Sequence, residues 1–186
     1  MSIALRKEER QILETMVKFA NLKKIESTAQ IEEMFAKLTG DGFQIIEPEN
    51  VDAYKNDQAL LRERLTTITR GDTERKQVAK QIRSFLREKV HPHVDFVQSR
   101  FIYTYDVDGV EAACALGIAF LLDETRGLTS RFTQCGNPEC GKFHLNLDAK
   151  GRPLKHCRNE KCKKAVERMQ AAVRAKRYRA KRRRSE

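Results

Sequence analysis

The sequence predicts a mainly α fold: a helical body containing a short β element, followed by a small C-terminal knuckle–hairpin–helix module. Three observations predict it. Apolar residues recur every three or four positions through the first ninety residues, the spacing of a buried helix face. That period gives way to alternation around Phe101–Val107, as in a strand. Two close cysteine pairs then precede a long basic run that holds no helix breaker.

Taken in order, Ile12, Leu13, Met16, Val17 and Ala20 mark a first helix. Ile31, Met34, Phe35 and Leu38 mark a second, preceded by Ser27 and Gln30 in a capping-box pattern. Gly40-Asp41-Gly42 ends it, and Phe43–Glu47 reads as a short strand before Pro48. Tyr54, Leu61, Leu65 and Ile68 give a third helix that stops at Gly71. Asp72 is expected to cap a fourth, which carries Val78, Ile82, Phe85 and Leu86. His91-Pro92 should end it, because a proline disfavours helix at the residue before it. His91, His93 and Asp95 form a loose metal-like run, read as a solvated loop. After the strand, Asp108-Gly109 turns the chain into a very apolar helix, Val110–Thr125, with Ala112, Ala113, Leu116, Phe120 and Leu121 inward. Cys114 belongs to that helix as a small core hydrophobe, and Gly127 ends it.

The 186 residues suit a helical domain plus an appendage, divided here as 1–130 and 131–186. No linker rich in Ser, Gly or Pro separates the two, so the appendage is expected to pack on the body. No apolar stretch is long enough for a membrane span. The start, Met1 to Gln11, lacks an apolar signal region, so export is not expected. A reducing, cytoplasmic setting follows, in which cysteines more often bind metal than pair. The net charge of +11 is uneven. From Arg131 to Glu186 there are 18 Lys+Arg against 5 Asp+Glu, and the preceding residues balance to −2. That split points to a polyanion as partner of the last third.

Cys135, Cys140, Cys157 and Cys162 are spaced C-x4-C, sixteen residues, C-x4-C. Structural zinc takes four tetrahedral ligands and binds thiolates well, so one zinc ion is expected on these four. Gly136-Asn137-Pro138 supplies a tight turn in the first pair, and Asn159 can cap a helix that places Cys162 in its first turn. Phe143, Leu145 and Leu147 alternate as a strand that Gly151 can turn back toward Leu154 and Cys157, giving a treble-clef-like arrangement. Large apolar side chains beyond Ser130 are few, and a core that small needs a staple. His144 and His156 are expected beside the metal rather than on it.

After Cys162 the chain is rich in Ala, Lys and Arg, all good helix formers. Cys162, Val166, Met169 and Val173 form an apolar stripe; beyond it come mostly cations. The residues expected to contact nucleic acid are Arg152, Lys155, Arg158, Lys163, Lys164, Arg168, Arg174, Lys176, Arg177, Arg179, Lys181, Arg182 and Arg183. A polyanion would relieve their mutual repulsion. Tyr178 could stack on a base or simply pack.

The segment from Phe101 onward resembles the CGNR-type zinc finger proteins, in which a helical N-terminal domain precedes a four-cysteine finger. The resemblance rests on Cys135-x4-Cys140-Gly141, on Phe143, on Cys157-x4-Cys162 opening a basic helix, and on Leu121-Leu122 before the run to Arg131. It implies zinc at the four cysteines, DNA binding by the finger, and transcription regulation in a bacterial nucleoid. Departures are Cys162-Lys163-Lys164-Ala165 in place of the name-giving tetrapeptide, and Lys155-His156 where arginine and tryptophan usually stand.

The leading expectation is a DNA-binding regulator whose helical body takes a ligand or protein partner. The alternative is an RNA-binding or nucleoprotein subunit that grips backbone without strong sequence preference, and a protein–protein adaptor comes after these. No Walker, dinucleotide, H-E-x-x-H or G-x-S-x-G motif is present, and Asp106, Asp108, Glu111, His91 and His93 sit in no catalytic pattern. An enzyme is therefore not expected.

Overall fold

In the computed structural model, which describes residues 7–36, 38, 50–97, 100–147, 155–157 and 159–185, the fold is mainly helical with two small antiparallel sheets. The helices are α1 (Lys7–Ala20), α2 (Thr28–Ala36), α3 (Val51–Ile68), α4 (Asp72–Lys89), α5 (Gly109–Leu122) and α6 (Glu160–Ser185). Strands β1 (Val90–Val97) and β2 (Arg100–Val107) form one ribbon, and β3 (Phe132–Gln134) and β4 (Phe143–Leu145) the other. The strand expected over Phe43–Glu47, and the glycines before it, lie outside the described residues.

α5 is apolar on nearly every side and is buried almost throughout, as a central helix must be. α1, α3 and α4 pack around it. α1 crowds α5 at Gly117, where a Cβ would come within 2.8 Å of the Met16 sulfur. Ile12, Leu13, Met16, Phe19 and Ala20 supply the buried face of α1. Cys114 is buried in this core, and burial raises its thiol pKa well above the ordinary value.

The helix ends follow from local chemistry. Ser27 Oγ accepts from the Gln30 amide at 3.3 Å, while the Gln30 side chain returns to the Glu26 amide at 3.0 Å. The expected capping box thus closes one residue earlier than its usual form. Asn50 caps α3 by accepting from the Asp52 and Ala53 amides. Asp72 does not cap α4: Gly71 holds that position, and Asp72 is the first helical residue, bonded to Arg75 at 2.6 Å. α5 stops at Leu122, three residues before the expected end, because Asp123 becomes extended and a 3₁₀ turn, Glu124–Arg126, follows. Gly127 then takes a left-handed φ of 59°, which glycine adopts without steric cost.

One expectation is overturned in β1. α4 does end before His91-Pro92, but His91, Pro92, His93 and Asp95 belong to a strand rather than a loop. Both members of a two-stranded ribbon are edge strands, where proline is tolerated.

Two long-range contacts tie the ends of the fold together. Arg126 forks onto the Glu9 carboxylate at 2.6 and 3.0 Å, bonds Asp123 at 2.8 Å and lies over the Phe120 ring. The Glu9 side chain is only 4% exposed. Separately, Asn21, just past α1, donates to the Phe143 carbonyl at 2.8 Å and accepts from the Phe143 amide at 2.9 Å. Its side chain thereby completes the outer edge of β4 as a neighbouring strand would. Phe143 stacks on Phe132 across the hairpin, and both join the main core.

Removing one member of a buried ion pair strands the other, at a cost of about 3 kcal/mol or more. Arg126→Ala should therefore lower stability by about that amount in denaturant unfolding, whereas Lys55→Ala, which breaks an exposed and solvent-screened pair with Asp52, should leave it nearly unchanged. Equal effects would show that the Glu9–Arg126 clamp does not hold the fold together.

Candidate metal centre and basic helix

The first cysteine pair is built on a turn. The Cys140 amide donates to the Asn137 carbonyl at 3.0 Å, and the Asn137 side chain accepts from the Glu139 amide at 3.2 Å. Gly141, at φ 57°, lets the chain leave that turn into β4. The Cys135 amide donates to the Lys142 carbonyl at 2.7 Å, closing the loop at its neck. The second pair sits at a helix start. Asn159 accepts from the Lys161 amide at 2.9 Å and caps α6, which puts Cys162 in the first turn.

These two segments bring all four expected cysteines together, with their sulfur atoms within 4.8 Å of one another. Cys140 and Cys157 sulfurs are 3.7 Å apart. That is far from a disulfide bond of about 2.0 Å. It matches the sulfur–sulfur edge of about 3.8 Å that tetrahedral geometry gives for thiolates bound to a metal at about 2.3 Å. The Cys157 amide points at the Cys135 sulfur at 3.4 Å, and the Asn137 amide group at the Cys162 sulfur at 3.4 Å. Such donors favour thiolate. The Asn137 bond, with help from Cys157, holds the Cys162 thiol below its ordinary pKa. Burial acts the other way elsewhere, raising Cys140 and pushing Cys157 up to about 12. Several desolvated thiols crowded together need a cation before all can ionise. The donor set, its closeness and its hydrogen bonds fit a metal ion.

A hairpin that the sequence does not announce is present beside the cysteines. β4 pairs with β3, which precedes the first cysteine, with Phe132 opposite Leu145 and Gln134 opposite Phe143. Residues 148–154, where Gly151 was expected to turn the chain back, lie outside the described residues. Alternation in the sequence marks β4 but does not choose its partner.

Neither histidine belongs to the sulfur cluster. His144, on β4, is held below its ordinary pKa by burial and then by the nearby Lys142 and His156 charges. His156 bonds the Cys157 carbonyl through Nδ1 at 2.8 Å. A cleft of about 590 Å³ opens beside the cysteines, between the end of α1 and β4, with Arg131, Lys142, His144 and His156 on its walls. Arg131 and Lys142 stand in no sequence motif, and only the fold brings them to this region. The sequence marks Asn137 as a turn residue, and no sequence signal marks it as a donor to a sulfur 25 residues away.

α6 is buried only at its root. Cys162 and Val166 are covered, but Met169 and Val173 are 40% and 51% exposed, and Tyr178 is 71% exposed. The stripe therefore packs for little more than one turn. Lys155, Lys163, Lys164, Arg168, Arg174, Lys176, Arg177 and Arg179 are all exposed. Lys181, Arg182 and Arg183 lie in the last turns of α6, whereas Arg152 and Arg158 lie outside the described residues. Asp108 and Glu111, weighed as possible acids or bases, pair with Lys89 at 3.6 Å and Arg64 at 3.2 Å. No helix among the described residues is long and apolar enough to cross a membrane.

No protein-family model matches this chain, and no curated protein matches it either.

Losing one thiolate from a closed shell should abolish tight metal binding, since the metal's binding energy is also folding energy for a module this small. Cys157→Ser is expected to release the metal and expose the root of α6 to proteolysis while α1, α3, α4 and α5 keep their helical signal. Asn137→Ala should keep all four ligands but weaken metal affinity by roughly 10- to 100-fold, read by competition with a chelator. Unchanged metal content in Cys157→Ser would refute the assignment.

Proposed function

We propose that the chain is a zinc-finger protein that binds duplex DNA through α6 and acts as a transcription regulator. Zinc is the metal that four clustered thiolates favour, and a closed shell of four protein ligands makes it structural rather than catalytic. This reading agrees with the resemblance to the CGNR-type finger.

The observation that carries the DNA reading is the exposed, uncompensated charge of α6. Its 26 residues extend about 39 Å at 1.5 Å per residue. From Ala171 to Ala180 every residue is exposed. Among the described residues the one ion pair that includes an α6 cation is Lys163 with Glu160, in the first turn at 3.7 Å. At 100° per residue, Arg174, Lys176, Arg177 and Arg179 fall on different sides of the helix. A rod cationic all round suits a groove with phosphates on both walls better than a flat surface. The B-DNA major groove, about 12 Å wide, admits an α-helix. The A-form groove of duplex RNA is too deep and narrow for it, which favours DNA. Arg131, Lys142 and Lys155 near the cysteines extend the positive surface toward the helix root.

A chain ending at Val173 should keep its zinc yet lose duplex affinity on the order of 100-fold at moderate salt, because eight cations are removed. The slope of log affinity against log salt should shrink by about 0.9 for each phosphate that is no longer neutralised. Fluorescence anisotropy with duplex DNA, duplex RNA and single strands checks this. Equal binding by the truncated chain would overturn the role of α6, and stronger binding to RNA would favour a nucleoprotein subunit.

A further inference from the structure

The cleft of about 590 Å³ beside the cysteines differs in charge from the other clefts of the body. Its lining carries Arg131, Lys142, His144 and His156, with the Thr133 hydroxyl and the Asn146 amide, and no aspartate or glutamate among the described residues. A second cleft, between α1 and α2, sets Glu14 and Glu33 against Lys18. A third, beside α4, sets Asp72 and Glu124 against Arg75 and Lys76. Only the first gathers cations without acids on its walls, and concave surfaces lined by one sign of charge focus the field on an opposite ion.

The individual groups agree with that sign. Lys142 is exposed and makes no ion pair with any residue of the chain. Arg131 donates to the Leu147 carbonyl at 2.9 Å, which fixes the position of its guanidinium. Asn159, the cap of α6, also lines the cleft, so the positive end of the α6 dipole adjoins it. The Nε2 atom of His144 is buried and meets no hydrogen-bond partner. A ligand that turned this ring toward the cleft would add a bond at Nε2 without breaking one there. Burial, and then the Lys142 and His156 charges, hold the His144 pKa down, as expected where like charges stand together without a counterion.

We propose that this cleft binds a phosphoryl group, with Lys142, Arg131 and His156 around its oxygens and the Thr133 hydroxyl as a neutral donor. Several converging cations suit a phosphoryl group, whose oxygens accept from several donors at once, better than a single carboxylate. The volume lies within the range of small-molecule sites. Two sources carry that chemistry: a backbone phosphate of the duplex held by α6, or a free phosphate ester. Binding of the phosphoryl group does not depend on the DNA reading; only the first source rests on it.

Inorganic phosphate, titrated into the full zinc-loaded chain at constant ionic strength, is the probe. The amide signals of Thr133, Phe143, His144 and Leu145 should shift together and saturate at about 1–10 mM. Lys142→Met, with its metal content verified, should weaken phosphate about tenfold, while Lys80→Met, an exposed lysine on α4, should leave it within about twofold. Duplex DNA then separates the sources. If Lys142→Met also lowers the salt slope of duplex binding by about 0.9, the group is a backbone phosphate; an unchanged slope assigns a free phosphate ester. No saturable shift in the native chain overturns the proposal and leaves these cations as balance for the thiolates. Equal phosphate affinity in Lys142→Met, or equal loss in Lys80→Met, also overturns it. Should Lys142→Met lose its metal, the native titration decides: shifts confined to the cleft support the site, and shifts confined to α6 refute it. Failure here leaves the truncation at Val173 a valid test of α6, so the two readings fall separately.

Discussion

Four sulfur atoms converging on one point are the constraint on which the C-terminal third depends. They join a turn at Cys135–Cys140 to the start of a helix at Cys157–Cys162, with little else between the two. Of the apolar side chains in α6 only Val166 is buried besides Cys162. One such residue contributes about 2 kcal/mol on burial, too little to hold a 26-residue helix in a fixed direction. A metal at the cysteines, worth on the order of 10 kcal/mol in small fingers, would supply what packing does not. The amide groups of Cys157 and Asn137, aimed at the Cys135 and Cys162 sulfurs, already orient the thiolates toward that role.

The direction of α6 matters only if the cluster is itself anchored. That anchoring comes from the body. Asn21 pairs with both backbone groups of Phe143, and the Phe143 ring stacks on Phe132 at the edge of the main core. The path from body to basic helix is thus continuous: α1, Asn21, β4, the cysteine turn, the sulfur cluster and the root of α6. From Val173 to Ala180 the helix is exposed, and its cations there face solvent on all sides. In the proposed DNA complex, phosphates would replace that solvent and relieve the repulsion along the rod.

Local signals were readable in the sequence, and partners across the chain were not. The apolar spacing marked α1 to α5, because each of these helices buries one face or, for α5, almost all of its surface. The cysteine spacing marked the cluster, since two close pairs carry their own turn and cap. β1 escaped because its histidines and proline obscure the alternation that the paired strand β2 makes obvious. The exposed positions of Met169 and Val173 were also hidden: a stripe shows where a helix could pack but not where its partner ends. Asn21 with Phe143 and Glu9 with Arg126 lie 122 and 117 residues apart, and no local pattern connects them.

Elemental analysis of the native, reduced protein tests the central claim most directly. One zinc ion per chain is expected, retained through dialysis and released together with the order of the α6 root when a strong chelator removes it. Protein that holds no tightly bound metal, yet keeps the cysteine turn and helix root ordered, would contradict that claim.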